Sequence, residues 1–185
     1  MRKKTIGFDV DMVVLDIATA FQSTAKEVLG REVTEVVNNR ELFSRFGLTV
    51  DEGKVVKKEM DWGDFPLMPW AERLINTVRY DLKYNVIFVS AFNNKKQNIR
   101  YGNLRKFFDV KEEDVHCVGR AQKSITLSAF DVEIFVDDCP NQVRECQDGG
   151  IKNAFLLDFG FYDIDRHGIQ KKINSDNIDE LFCYL

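Results

Sequence analysis

The chain has 185 residues, 44% of them hydrophobic, with 26 basic side chains against 30 acidic and a net charge of −4. That length and apolar content suit one domain with a substantial core, much of it to be filled by the 15 Phe. The acidic balance argues against a nucleic-acid partner, and no apolar run reaches membrane-spanning length. Arg2-Lys3-Lys4 is too short, and too soon followed by a strand, for a secretory signal. Cys117, Cys139, Cys146 and Cys183 show neither C-x-x-C nor zinc spacing, which points to thiols in a reducing compartment and to a cytoplasmic protein.

The first predicted strand covers residues 5–10. Ile17–Leu29 then reads as an amphipathic helix, with Ala18, Phe21, Ala25 and Val28 at helical spacing and Gly30 as its stop. A second helix is expected over 35–46, closed by Gly47. A third is expected over 50–60, capped by Thr49 with Glu52 in the capping-box position. An aromatic, turn-rich stretch runs from Asp61 to Trp70. From Pro69 or Trp70 a helix is expected to about Lys83, followed by a strand at 85–90, a helix at 95–108 and a strand at 114–118. After the turn Gly119-Arg120-Ala121-Gln122, a strand at 132–136 leads into Asp137-Asp138, then a helix at 141–147 stopped by Gly149-Gly150. A strand at 153–157 and a final helix at 176–183 complete the chain.

Alternating strands and helices imply an α/β fold with a mainly parallel sheet built by right-handed crossovers. Residues 16–68 break the alternation with helices only. They read as a small helical cap inserted after the first strand, leaving 1–15 and 69–185 as the α/β core. In such sheets ligands bind at the carboxyl ends of the strands, where this chain has a distinctive set. Asp9 and Asp11 follow the first strand, Ser90 ends the second, Lys123 follows the third, and Asp137-Asp138 ends the fourth. Buried acids need a cation or a charged partner. Carboxylates are hard oxygen ligands for Mg²⁺, lysine is a point charge for phosphate, and a carboxylate can itself act as nucleophile. The set suits phosphoryl transfer.

The order Asp9-x-Asp11-x-Val13, Ser90, Lys123 and Asp137-Asp138 resembles the four motifs of the haloacid dehalogenase superfamily. Within it, Asp9-Val10-Asp11-Met12-Val13-Val14-Leu15-Asp16, Val136-Asp137-Asp138-Cys139-Pro140 and the small cap are most similar to the 5′(3′)-deoxyribonucleotidases. The resemblance implies a Rossmann-like core and an aspartyl-phosphate mechanism. Asp9 would be the nucleophile, and Asp11 the acid and base. Ser90, the backbone N–H of Ala91 and Lys123 would hold phosphate. Mg²⁺ would be bound by Asp9, the Asp11 carbonyl, Asp137 and Asp138, with Asp138 favoured as a direct ligand. Met12 and Trp70 stand where those nucleotidases usually have glycine, and Ala91 where they tend to have a hydroxyl.

Lys95 or Lys96 could replace Lys123 in its role, although the distance to the 132–136 strand favours Lys123. Phe46, Trp62 and Phe65 are the candidates for stacking on a nucleobase, against the ordinary alternative of core packing. His116 and His167 receive no role. The expected substrate is a nucleoside or deoxynucleoside 5′-monophosphate. A sugar phosphate, a nucleic-acid 3′-phosphate or a ligand-binding module without turnover are the alternatives.

Overall fold

A computed structural model describes residues 3–92, 95, 97–119, 122–162, 168–169 and 171–185. Lys96, His167 and the Arg120-Ala121 part of the expected turn lie outside the described residues. The strands are β1 (Thr5–Phe8), β2 (Asn85–Ser90), β3 (Val115–Cys117), β4 (Val132–Asp137), β5 (Asn153–Asp158) and β6 (Lys172–Asn174). They form one sheet in the order β3-β2-β1-β4-β5-β6, and each neighbouring pair runs parallel. The helices are α1 (Ile17–Leu29), α2 (Leu42–Arg45), α3 (Val50–Glu59), α4 (Ala71–Asn76), α5 (Gln97–Arg105), α6 (Lys123–Ala129) and α7 (Pro140–Asp148). Between β1 and β2 lie α1 to α4, joined by irregular stretches. Among the described residues no helix is long and apolar enough to cross a membrane.

Strand side chains alternate between two faces, and the core divides accordingly. Ile87, Val89, Phe135 and Leu156 pack with Leu127 of α6 and Val143 and Cys146 of α7. Their neighbours Val86, Phe88, Ile134, Val136, Phe155 and Leu157 face the other side, in a cluster that runs on without a break into Phe21, Phe46 and Val56 of the inserted helices. Gly7 faces α6. A Cβ there would lie 2.8 Å from the Leu127 side chain, so the close approach of helix and sheet requires glycine.

The inserted helices are locally well specified. Asp16 caps α1 by accepting from the Thr19 amide at 2.9 Å and its hydroxyl at 2.7 Å, and Gly30 ends the helix at φ 62°. Thr49 and Glu52 form the expected capping box on α3, and Arg31 pairs with Glu52 at 2.8 Å. Thr49→Ala is therefore expected to cost about 1 kcal/mol in urea unfolding. An unchanged midpoint would show that the cap carries no stability. These contacts lower Glu52 to about 2, the Arg31 hydrogen bond being the largest cause. Its contribution is thus present above the ordinary glutamate value and lost as pH falls towards the lowered one.

Three helix expectations need correction. Only Leu42–Arg45 of the 35–46 segment is helical. Val33, Thr34, Val36 and Val37 are β-branched and Asn38-Asn39 favours turns, so the preceding stretch loses little by leaving the helix. It is held instead by Val36 N–H donating to the Arg45 carbonyl at 2.8 Å. The 70–83 helix closes as a wide π turn over Thr77–Asp81, and Lys83 at φ 63° ends it. The terminal segment Ser175–Tyr184 is 3₁₀, broken at Asn177. Two short elements escaped the sequence reading. These are α6, and β6 with its single buried residue Ile173.

Candidate active site

The strand order reverses between β1 and β4, the point at which open parallel sheets form their ligand crevice. Asp9 leaves β1 there, its amide donating to the Val136 carbonyl of β4 at 2.8 Å. The chain then turns tightly. Val14 and Leu15 N–H groups donate to the Val10 carbonyl, and Met12 N–H to that of Leu15. Met12 has φ 68°, in the left-handed region. This gives a physical reason why glycine suits the position, since a residue with a Cβ pays roughly 1–2 kcal/mol there. Trp70 anchors the same turn, its indole N–H donating to the Val13 carbonyl at 3.0 Å.

Three buried carboxylates meet at this edge. Asp9, Asp137 and Asp138 each offer an oxygen within 4.8 Å of the others. Lys123, in the first turn of α6 and 2% exposed, bridges two of them: its Nζ lies 2.8 Å from Asp9 Oδ1 and 2.6 Å from Asp137 Oδ2. Asp137 Oδ1 accepts from the Cys139 amide at 2.8 Å. Burial raises Asp9 well above its ordinary value, Lys123 opposes the rise, and Asp137, Asp138 and Asp11 add to it. Burial raises Asp138 too, against the pull of Arg40. For Lys123, burial works against the charge, but Asp137 and Asp9 outweigh it and the ammonium stays protonated.

Two arginines that the sequence reading passed over complete the electrostatics. Arg40, from the inserted segment, places Nε 2.9 Å from Asp138 Oδ2. Arg100 of α5 is fully buried, with Nη2 2.9 and 3.1 Å from the two Asp11 oxygens. Phe92, Phe65 and Trp62 surround its guanidinium at 4.2, 5.0 and 5.8 Å from the ring centroids. A signal for Arg100 did exist: it stands at i−4 and i−8 from Leu104 and Phe108, a charge on the buried stripe of α5. Arg40 had none, because its partner is distant in sequence. Four acidic side chains (Asp9, Asp11, Asp137, Asp138) thus meet three basic ones (Lys123, Arg40, Arg100).

The other expected residues fall at varied positions. Ser90 is fully buried, its hydroxyl 3.5 Å from Asp11 Oδ2, a weak contact. Ala91 borders the same cavity of about 120 Å³ as Asp9, Asp11, Lys123 and Asp137; Arg40, Cys139 and Gln142 close it. Lys95 is exposed. Phe65 is buried and Trp62 partly so, both packed around Arg100, and Trp62 also stacks on Phe92 at 5.6 Å. Phe46 stacks on Phe21 at 5.8 Å and walls a separate cavity of about 220 Å³ together with Met12, Met68 and Phe159. His116 packs on Phe130 with ring centroids 4.4 Å apart.

This architecture is the haloacid dehalogenase-like fold. A predicted phosphoglycolate phosphatase from Haemophilus somnus superposes with a TM-score of 0.55 at 17% identity, covering 98% of this chain and 99% of the other. A haloacid dehalogenase family hydrolase from Deinococcus radiodurans, with bound phosphate and sodium, gives 0.57 at 13%, covering 97% and 93%. A dehalogenase in an intermediate complex gives 0.63 at 13%, covering 99% and 97%. No protein-family model matches the sequence, and no curated protein is similar to it. These likenesses establish the fold. Since both phosphatase and dehalogenase are named among the neighbours, the reaction has to be argued from the side chains.

Proposed function

We propose that this protein is a Mg²⁺-dependent phosphomonoesterase working through an aspartyl-phosphate on Asp9. The observation that carries the proposal is the buried Asp9/Asp137/Asp138 cluster with Lys123 bridging Asp9 and Asp137. Hard oxygen donors at this spacing suit a small divalent cation. Asp9, Asp137, Asp138 and the Asp11 carbonyl would hold it. When bound, the cation supplies charge neutralisation for the phosphate oxygens.

In this reading an Asp9 oxygen attacks phosphorus, the phosphorus–oxygen ester bond breaks, and Asp11 gives its proton to the departing oxygen. Asp11 then takes a proton from the water that cleaves the acyl phosphate. Lys123 holds charge beside Asp9 throughout, and Ser90 and the Ala91 amide serve the phosphoryl oxygens. Arg100 fixes the direction of Asp11 from within its aromatic enclosure.

The 120 Å³ cavity takes a phosphoryl group and little else, against roughly 300–1,000 Å³ for pockets that enclose a whole organic ligand. The leaving group therefore lies outside it. We assign 16–68 as a cap over this mouth, with 1–15 and 69–185 as the core. Both ends of the cap meet at a short neck, where Leu15 bridges Leu67 and the Met68 amide donates to the Val14 carbonyl. For the substrate we propose a nucleoside or deoxynucleoside 5′-monophosphate. Supporting this, the cavity walled by Phe46 begins at Met12, the residue after Asp11, and could receive a base. The small catalytic cavity itself does not select a leaving group, which favours another small phosphate ester, such as a sugar phosphate, as the second reading. All four cysteines are free, and we place the protein in the cytoplasm; burial pushes Cys117 up to about 11 and Cys146 up to about 12, which keeps these thiols unreactive.

The test is phosphate release from nucleoside, deoxynucleoside and sugar phosphates in Mg²⁺ and in EDTA. Metal-dependent turnover concentrated on nucleotides is the expected result. Turnover on sugar phosphates alone would discard the substrate and keep the mechanism. Release that EDTA leaves untouched would reject the metal-dependent mechanism.

A further inference from the structure

Gln142, in the first turn of α7, is 5% exposed and borders the cavity that holds Asp9, Lys123 and Asp137. Its Nε2 donates to Glu145 Oε2 at 2.9 Å. A carboxylate only accepts, so this contact decides which end of the amide is which and turns Oε1 away from Glu145. Oε1 is buried and has no hydrogen-bond partner among the described residues. A buried acceptor left unmade is destabilising, so its presence asks for a reason. Asp138 Oδ1 is in the same condition, while Arg40 occupies the other oxygen of that carboxylate.

Both of these atoms are acceptors, as is Asp11 Oδ1, which is ion-paired with Arg100 Nη2 but also has no hydrogen bond; Arg100 Nε, beside Asp11, is an unmatched donor. Unprotonated phosphate oxygens cannot satisfy the acceptors, and the nearby Lys123 ammonium donates to Asp9 and Asp137. What they lack is a compact donor, and the cavity beside Gln142 is lined by Asp9, Asp11 and Asp137 together with Arg40 and Lys123. Water on a small divalent cation has that chemistry: its oxygen faces the metal and its hydrogens point outward. Mg²⁺ gives up its waters reluctantly and keeps several when bound.

We infer that Gln142 is a positioning residue for the cation, its Oε1 accepting a hydrogen bond from a water in the cation's shell. The inference rests on the metal-dependent reading proposed above and adds a residue to it from the outer sphere. The amide is oriented at one end by Glu145, and its other end fixes the water, the arrangement by which outer-shell groups tune metal sites. It also accounts for a buried polar atom that packing alone would disfavour.

The test is calorimetric titration of Mg²⁺ into substrate-free protein, with the thermal midpoint of the metal-free form measured alongside. Gln142→Met keeps the length and removes the acceptor. It is expected to weaken Mg²⁺ binding about tenfold while leaving the metal-free midpoint close to wild type, because the loss of an unmatched buried oxygen offsets the loss of the Glu145 contact. Equal affinity of wild type and Gln142→Met would overturn the inference. Absence of Mg²⁺ binding in wild type would overturn the metal-dependent reading itself, a separable result.

Discussion

Asp9→Asn is expected to lower phosphate release by roughly 10⁴-fold or more, the scale on which removal of a nucleophile acts. The fold should survive. Asparagine keeps the shape of the side chain and relieves a carboxylate that burial and three neighbouring acids already push towards its protonated form. Initial rates and a thermal melt on the same preparation separate the two effects. Activity within tenfold of wild type in a well-folded variant would remove Asp9 from the nucleophile position, whatever its place in the metal cluster.

Lys123→Met should have the largest effect on stability. The lysine is 2% exposed and its two partners, Asp9 and Asp137, are 5% and 0% exposed, so removing it strands two neighbouring acids in the interior. Breaking a buried pair in this way costs about 3–5 kcal/mol. The loss should depend on pH in a definite direction. Asp9 is raised in the folded protein, so its contribution is complete below the ordinary aspartate value of 3.8 and is lost as pH rises through the raised value. Lys123 is itself raised, so its charge is present throughout this window. Without it Asp9 loses the ammonium that opposes its rise. The gap between variant and wild type is therefore expected to be widest near neutrality and to narrow towards pH 5. Denaturant unfolding in EDTA at both pH values measures it. A gap that widens on acidification would contradict the assigned pairing.

The acids were legible in the sequence because strand chemistry and site chemistry occupy different residues. Thr5-Ile6-Gly7-Phe8 and Val132–Asp137 are apolar runs that end in carboxylates, and a parallel sheet delivers such ends to one edge. Lys123 was found by its order and distance from β4, although α6, the helix that carries it, was not recognised. The residues that orient the acids were less visible. Arg40 lies in a stretch misread as helical, where Leu42, Phe43 and Phe46 gave an apolar spacing that the β-branched residues before them could not extend. Gln142 reads as an ordinary polar residue at the start of a helix, and only the cavity beside it and its unmatched oxygen mark it out. Met12 was visible as a departure from a familiar motif, but its positive φ is a property of the turn between Val10 and Leu15 and had to be seen in three dimensions. The aromatic residues expected to meet a base show the limit of composition as a guide. Trp62 and Phe65 enclose Arg100, and that contact is set by tertiary packing.

The measurement that tests the central claim most directly is the location of the phosphoryl group during turnover. The protein would be acid-quenched while hydrolysing a labelled substrate in Mg²⁺, digested, and mapped by mass spectrometry. The account predicts label on the peptide containing Asp9, absent when EDTA replaces Mg²⁺ and absent in Asp9→Asn. Label on any other residue, or steady phosphate release with none on the protein, would contradict it.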